Sequence, residues 1–124
     1  MNTDYVAYHR HLEERLAQLG QKIPSPMSGF ARLHKKAVEE GALSAKTKEL
    51  MALAISIAVR CEGCISYHVH DAVEAGATRQ ELLETIGIAL MMGVVPARST
   101  LPMPWMPLIS SCLRMCRNER IWLS

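Results

Sequence analysis

Cys61-Glu62-Gly63-Cys64 places two thiols three positions apart, and Ile65-Ser66-Tyr67-His68-Val69-His70 follows directly. On a helix, Cys61, Cys64 and His68 fall at i, i+3 and i+7 and share one face. His68 then stands one turn from Cys64, within reach of its proton. Thiolate is the reactive form of cysteine, and a helix N-terminus or a neighbouring imidazole draws its pKa toward neutrality. Glu49 lies twelve residues before Cys61, on the preceding apolar segment. If the two segments pack side by side, its carboxylate can orient or recharge His68, completing a carboxylate–imidazole–thiol relay. Such a set can do thiol redox chemistry or bind metal.

Zinc is the rival use of these residues, because C-x2-C-x3-H-x-H offers four potential ligands. Four ligands within ten residues of one helix do not readily surround a tetrahedral ion, and His70 points away from Cys61 across that helix. The expectation is therefore no metal and no cofactor, with His70 a surface or interface residue. His9, His11 and His34 have no partner pattern and read as structural or exposed. Met91-Met92 reads as core or oligomer packing rather than a ligand pair.

The elements that must position the site are helical throughout. Asp4 can cap a first helix to about Gly20, with Val6, Leu12, Leu16 and Leu19 apolar at near-helical spacing. Pro24 and Pro26 break it, and a second helix runs roughly from Pro26 to Glu40, with Gly41 placed as its C-terminal cap. Ser44 opens a third, along which Leu50, Leu53, Ala54, Ile57 and Ala58 form a wide apolar face. A fourth starts around Cys61 and ends at Gly76. Thr78 and Glu81 form a capping-box pattern that starts a fifth helix running to about Met92. Few runs alternate with period two, and none is bounded like a strand. The fold class is all-α, without internal repeat or low-complexity segment.

The whole chain of 124 residues, 49% hydrophobic and 21% charged, reads as one globular domain. No apolar run approaches the length of a membrane span, and the N-terminus shows neither a basic nor an apolar signal region. The expectation is a reducing cytoplasm, where four cysteines are not a structural disulfide framework. Residues 1–93 hold ten Lys and Arg against eleven Asp and Glu, whereas residues 94–124 hold four Arg against Glu119. The net charge of +2 thus comes from the tail, and no basic stripe marks a nucleic-acid partner.

Glu49-x11-Cys61-x2-Cys64-x3-His68 resembles the signature of the AhpD-like alkylhydroperoxidases within the carboxymuconolactone decarboxylase superfamily. Lys46-Thr47-Lys48-Glu49-Leu50, Tyr67-His68 with Ala75-Gly76-Ala77-Thr78, and Glu81 to Thr85 through Met92-Gly93 are similar to the same family, over about residues 25–93. The resemblance implies an all-α fold, assembly as a trimer or hexamer, and peroxide reduction through the CxxC pair. Decarboxylase relatives generally lack the CxxC, so its presence argues against the lactone decarboxylase reaction. By position, Cys64 would be the attacking thiol, activated through His68 and Glu49. Cys61 would resolve the sulfenic acid to a Cys61–Cys64 disulfide, which a dithiol donor then reduces. Helix-dipole reasoning favours Cys61 as the lower-pKa thiol and the imidazole favours Cys64; the more local effect assigns attack to Cys64. The alternatives are a redox-sensing or binding protein of this family without peroxidase turnover, and a zinc-stabilised module.

The tail departs from the resemblance. The family usually has a Gly-Gly-Gly-Pro turn and a last helix rich in alanine, whereas Met92-Gly93-Val94-Val95-Pro96-Ala97 leads here into a proline-studded stretch. Met and Trp have single codons, so Pro102-Met103-Pro104-Trp105-Met106-Pro107 must be CCN-ATG-CCN-TGG-ATG-CCN. In a shifted frame this reads Asn/Asp/Tyr/His, Ala, Met/Leu/Val, Asp, Ala, which is amphipathic-helix text. Restoring one base in the glycine codons also returns Gly-Gly-Pro from Gly93 to Pro96. Residues from about Val94 onward therefore read as out-of-frame translation of a last helix, the alternative being a divergent genuine C-terminus. The coding DNA decides between them. On the first reading, Cys112 and Cys116 carry no selected chemistry.

Overall fold

The computed structural model describes residues 4–94 of the chain; the tail reading concerns residues outside this span. Five helices and no strand occur among the described residues: α1 Tyr5–Lys22, α2 Pro24–Ala37, α3 Ala45–Ala58, α4 Glu62–Glu74 and α5 Arg79–Val94.

The capping signals operate as the sequence indicates. The Asp4 carboxylate accepts from the backbone N–H groups of Val6 and Ala7, and the Ser44 hydroxyl accepts from Thr47 N–H. Thr78 and Glu81 bond each other's backbone reciprocally, Thr78 N–H to Glu81 Oε2 at 2.8 Å and Glu81 N–H to Thr78 Oγ1 at 3.2 Å. α4 ends in a Schellman motif, with Gly76 at φ +92° as its left-handed residue.

The second helix differs from the expectation at both ends. It begins at Pro24 rather than Pro26, because proline in the first helical turn gives up only N–H groups that have no intrahelical acceptor. It ends at Ala37, so Gly41 is not its cap. Side chains instead hold the following loop: Lys48 Nζ donates to the Glu39 carbonyl at 2.6 Å, and Ala45 N–H donates to Glu40 Oε2 at 2.9 Å.

The core follows from the apolar stripes of three helices. Leu53 and Ile57 of α3 meet Ile65, Val69 and Ala72 of α4 and Leu82, Ile86 and Ala89 of α5. Burying each of the larger side chains contributes about 1.5–3 kcal/mol. α3 is the shared layer, with α4 and α5 both packed on it, while α1 packs on α4 and carries α2. Met91 and Met92 are exposed in the single chain, so they are not core; the core positions of α5 are three and four residues apart on its other face.

α1 and α4 are joined by an imidazole pair. His9 is buried, its Nδ1 lies 3.2 Å from Ser66 Oγ, and its ring stacks on His70 with centroids 4.5 Å apart. His9 is thus structural, as expected, and His70 serves an interface within the chain. His11, beside Glu14, is exposed.

Candidate thiol and imidazole site

The position of Cys61 is decided by how α3 stops. Cys61 N–H donates to the Ser56 carbonyl and Arg60 N–H to the Ile57 carbonyl, the two bonds of a Schellman motif. Arg60 is its left-handed residue, at φ 61°, where glycine is usual. The chain therefore reverses over Val59 and Arg60 alone and enters α4 with Cys61 as N-cap. Cys61 Sγ accepts the Cys64 N–H at 3.3 Å, and the two cysteines form a disulfide with Cα atoms 5.2 Å apart. Both are half-buried.

The reversal lays α4 alongside α3, so that Glu49, from the second turn of α3, meets His68, one turn beyond Cys64. Glu49 Oε2 lies 2.8 Å from His68 Nδ1. The carboxylate is 4% exposed and the imidazole side chain 19% exposed. A carboxylate only accepts, so Nδ1–H donates to it, and Nε2 becomes the nitrogen that can take up or release a proton. The hydrogen bond gives this buried carboxyl group the partner that a buried polar group requires. Glu49 and His68 thus meet across the α3–α4 packing, with Cys64 one turn before His68 on α4 and Cys61 at the N-cap of that helix.

His34 is the neighbour that sequence reasoning missed. Its Nε2 lies 3.9 Å from Glu49 Oε1, and its ring centroid is 5.9 Å from that of His68. That nitrogen is buried and makes no hydrogen bond. No spacing rule links His34 to Glu49 or His68. The one signal was positional: His34 lies in the last turn of α2 and Glu49 in the second turn of α3, with only residues 38–44 between the helices.

Of the four residues weighed from sequence as zinc ligands, Cys61 and Cys64 are bonded to each other and His70 turns toward His9 and Asp71. Around that second cluster, burial and then the neighbouring His70 lower the His9 pKa, while Glu13 and Asp71 work weakly against them. Burial pushes the phenols of Tyr8 and Tyr67 up, with Glu62 adding to the first and Glu13 and Asp71 to the second. At the far end of α3, the hydrogen bond from Lys46, 2.8 Å away, and then the Thr78 N–H hold the Glu81 carboxyl below the usual range.

The carboxymuconolactone decarboxylase family model matches residues 24–101. The chain is 34% identical over 96 residues to an uncharacterised protein of Cupriavidus necator, spanning 77% of this chain and 85% of that one. Its structure superposes on a carboxymuconolactone decarboxylase family protein of Legionella pneumophila, crystallised in the apo form, with a TM-score of 0.76, 34% identity, and 92% and 95% of the two chains covered. A family member from Thermotoga maritima, with a suggested part in the antioxidative response, gives a TM-score of 0.74 at 29% identity, covering 92% and 97%. An all-helical fold of five described helices and a match over most of the chain define the class. The protein belongs to the carboxymuconolactone decarboxylase family. No helix among the described residues is long and apolar enough to cross a membrane.

Proposed function

We propose that the protein is a thiol-dependent peroxidase of the alkylhydroperoxidase type, working through Cys61 and Cys64. The observation that carries this reading is the 2.8 Å contact between buried Glu49 and His68, one turn from the second cysteine of a CxxC pair at a helix N-terminus. Among relatives, the suggested antioxidative part of the Thermotoga maritima protein is in keeping with it.

In the reduced protein, His68 Nε2 takes the proton of Cys64, and Glu49 stabilises the resulting imidazolium. The Cys64 thiolate attacks a peroxide oxygen; the O–O bond breaks, and the imidazolium returns the proton to the departing alkoxide as an alcohol. Cys64 is left as a sulfenic acid. The Cys61 thiol attacks that sulfur, forming the disulfide and releasing water. A dithiol donor then reduces the disulfide and is itself oxidised, restoring both thiols. The Cys64 N–H aimed at Cys61 Sγ stabilises negative charge on that sulfur, which makes Cys61 the better leaving group when the donor attacks Cys64.

The working unit on this reading is a homo-oligomer, a trimer or hexamer, in a reducing cytoplasm. Phe30 and Leu33 on α2, Ile55 on α3, and Ile88, Met91 and Met92 on α5 are more than half exposed in the single chain, which supports further burial in an assembly. Light scattering of the purified protein checks the mass.

The decisive experiment is anaerobic thiol titration before and after one equivalent of an organic hydroperoxide. The parent loses both active thiols, Cys61→Ser traps a sulfenic acid, and Cys64→Ser loses the fast reaction. If neither thiol reacts faster than free cysteine, the peroxidase reading fails.

A further inference from the structure

The Glu49 carboxylate faces two imidazoles, one on each oxygen, and the two contacts are unlike. His68 Nδ1 lies at 2.8 Å, an ordinary hydrogen bond. His34 Nε2 lies at 3.9 Å from the other oxygen, too far to share a proton, yet the nitrogen is buried and has no hydrogen-bond partner. A gap of that length suits one cation bonded to both atoms, since zinc–nitrogen and zinc–oxygen bonds are each about 2.0–2.2 Å. One ligand atom from each of His34, Glu49 and His68 can be chosen so that all three lie within 4.8 Å of one another. Adjacent donors of a tetrahedral ion stand roughly 3.3 Å apart for bonds of this length, which small side-chain rotations would reach.

We propose that His34, Glu49 and His68 form a binding site for one divalent transition-metal ion of the zinc class. Two imidazoles and a carboxylate are the donor set of open, three-ligand zinc sites, with water in the fourth position. The set draws on α2 and α4 as well as on buried Glu49 of α3, and it needs neither cysteine. Metal bound here occupies the atoms that the proton relay uses. On the peroxidase reading just given, zinc therefore suppresses the thiol reaction and a chelator restores it.

Cobalt(II) is the probe, because its visible d–d absorption reports coordination without any turnover. The full chain is used with the Cys61–Cys64 disulfide intact and Cys112 and Cys116 replaced by serine, so that no thiol can bind the ion. The expected result is one cobalt per chain, displaced by zinc, without a thiolate charge-transfer band. His34→Ala and Glu49→Gln should each weaken binding at least about tenfold, while His11→Ala leaves it unchanged; far-UV circular dichroism verifies the fold. Because α2 buries no residue, His34→Ala is well placed to fold normally. Binding as tight in His34→Ala as in the parent overturns the proposal, as does binding no tighter than to free imidazole. Failure of the peroxidase reading is seen separately, as unreactive thiols in metal-free protein.

Discussion

His9 and His70 stack within 16° of parallel, with ring centroids 4.5 Å apart, and this pair joins α1 to α4. Ser66 Oγ faces His9 Nδ1, Glu13 lies 3.7 Å from His9 Nε2, Tyr67 packs its ring at 5.2 Å, and Asp71 bonds His70. Burial first, and then His70, disfavour a charge on His9, so the folded chain binds this proton less readily than the unfolded chain. Stability from neutral His9 is fully present above the ordinary imidazole value of about 6.5. It is lost as pH falls from there through the lowered folded value, because the unfolded state then binds more protons. Thermal melts from pH 7.5 down to 5 should show a falling Tm in the parent and a flatter profile in His9→Gln. Equal slopes would show that His9 does not set the acid limit.

On the peroxidase reading, Glu49→Gln keeps the shape of the buried side chain but removes the carboxylate on which the proposed proton relay through His68 depends. The rate of Cys64 oxidation by hydroperoxide should fall by about a hundredfold, within the range general acid–base groups supply. Stopped-flow measurement against pH checks it, since loss of the relay also alters the profile and a purely structural defect does not.

Arg60 occupies a left-handed backbone position, φ 61°, in the reversal that joins α3 to α4 just before Cys61. A side chain costs about 1–2 kcal/mol there, and glycine's greater freedom in the unfolded chain returns part of that. Arg60→Gly should raise stability by about 0.5–1 kcal/mol in urea titrations, whereas β-branched Arg60→Val should lower it.

Leu53 is 1% exposed, at the centre of the layer that holds Glu49 in place. Leu53→Ala should cost about 3 kcal/mol. Ser44→Ala, which removes the N-cap of the same helix, should cost about 1 kcal/mol. Denaturant midpoints at equal m-value test both, and the order of the two effects is the sharper check.

Much of this architecture was legible in the residues themselves. Asp4, Ser44 and the Thr78–Glu81 pair marked three helix starts, and Gly76 marked one end, because capping is settled by hydrogen bonds within a few residues. The period of the helix likewise set Cys64 and His68 one turn apart. The limits of α2 were not legible, since Lys48 and Glu40 hold the loop from outside the helix. Placing Glu49 against His68 required α3 and α4 to bury Leu53, Ile57, Ile65 and Val69 together. His34 joined them only in the folded chain, across residues 38–44, at a separation where no local pattern exists. Local hydrogen bonding decided the helices and the spacing of the thiols; burial of distant apolar faces decided which imidazoles meet the carboxylate.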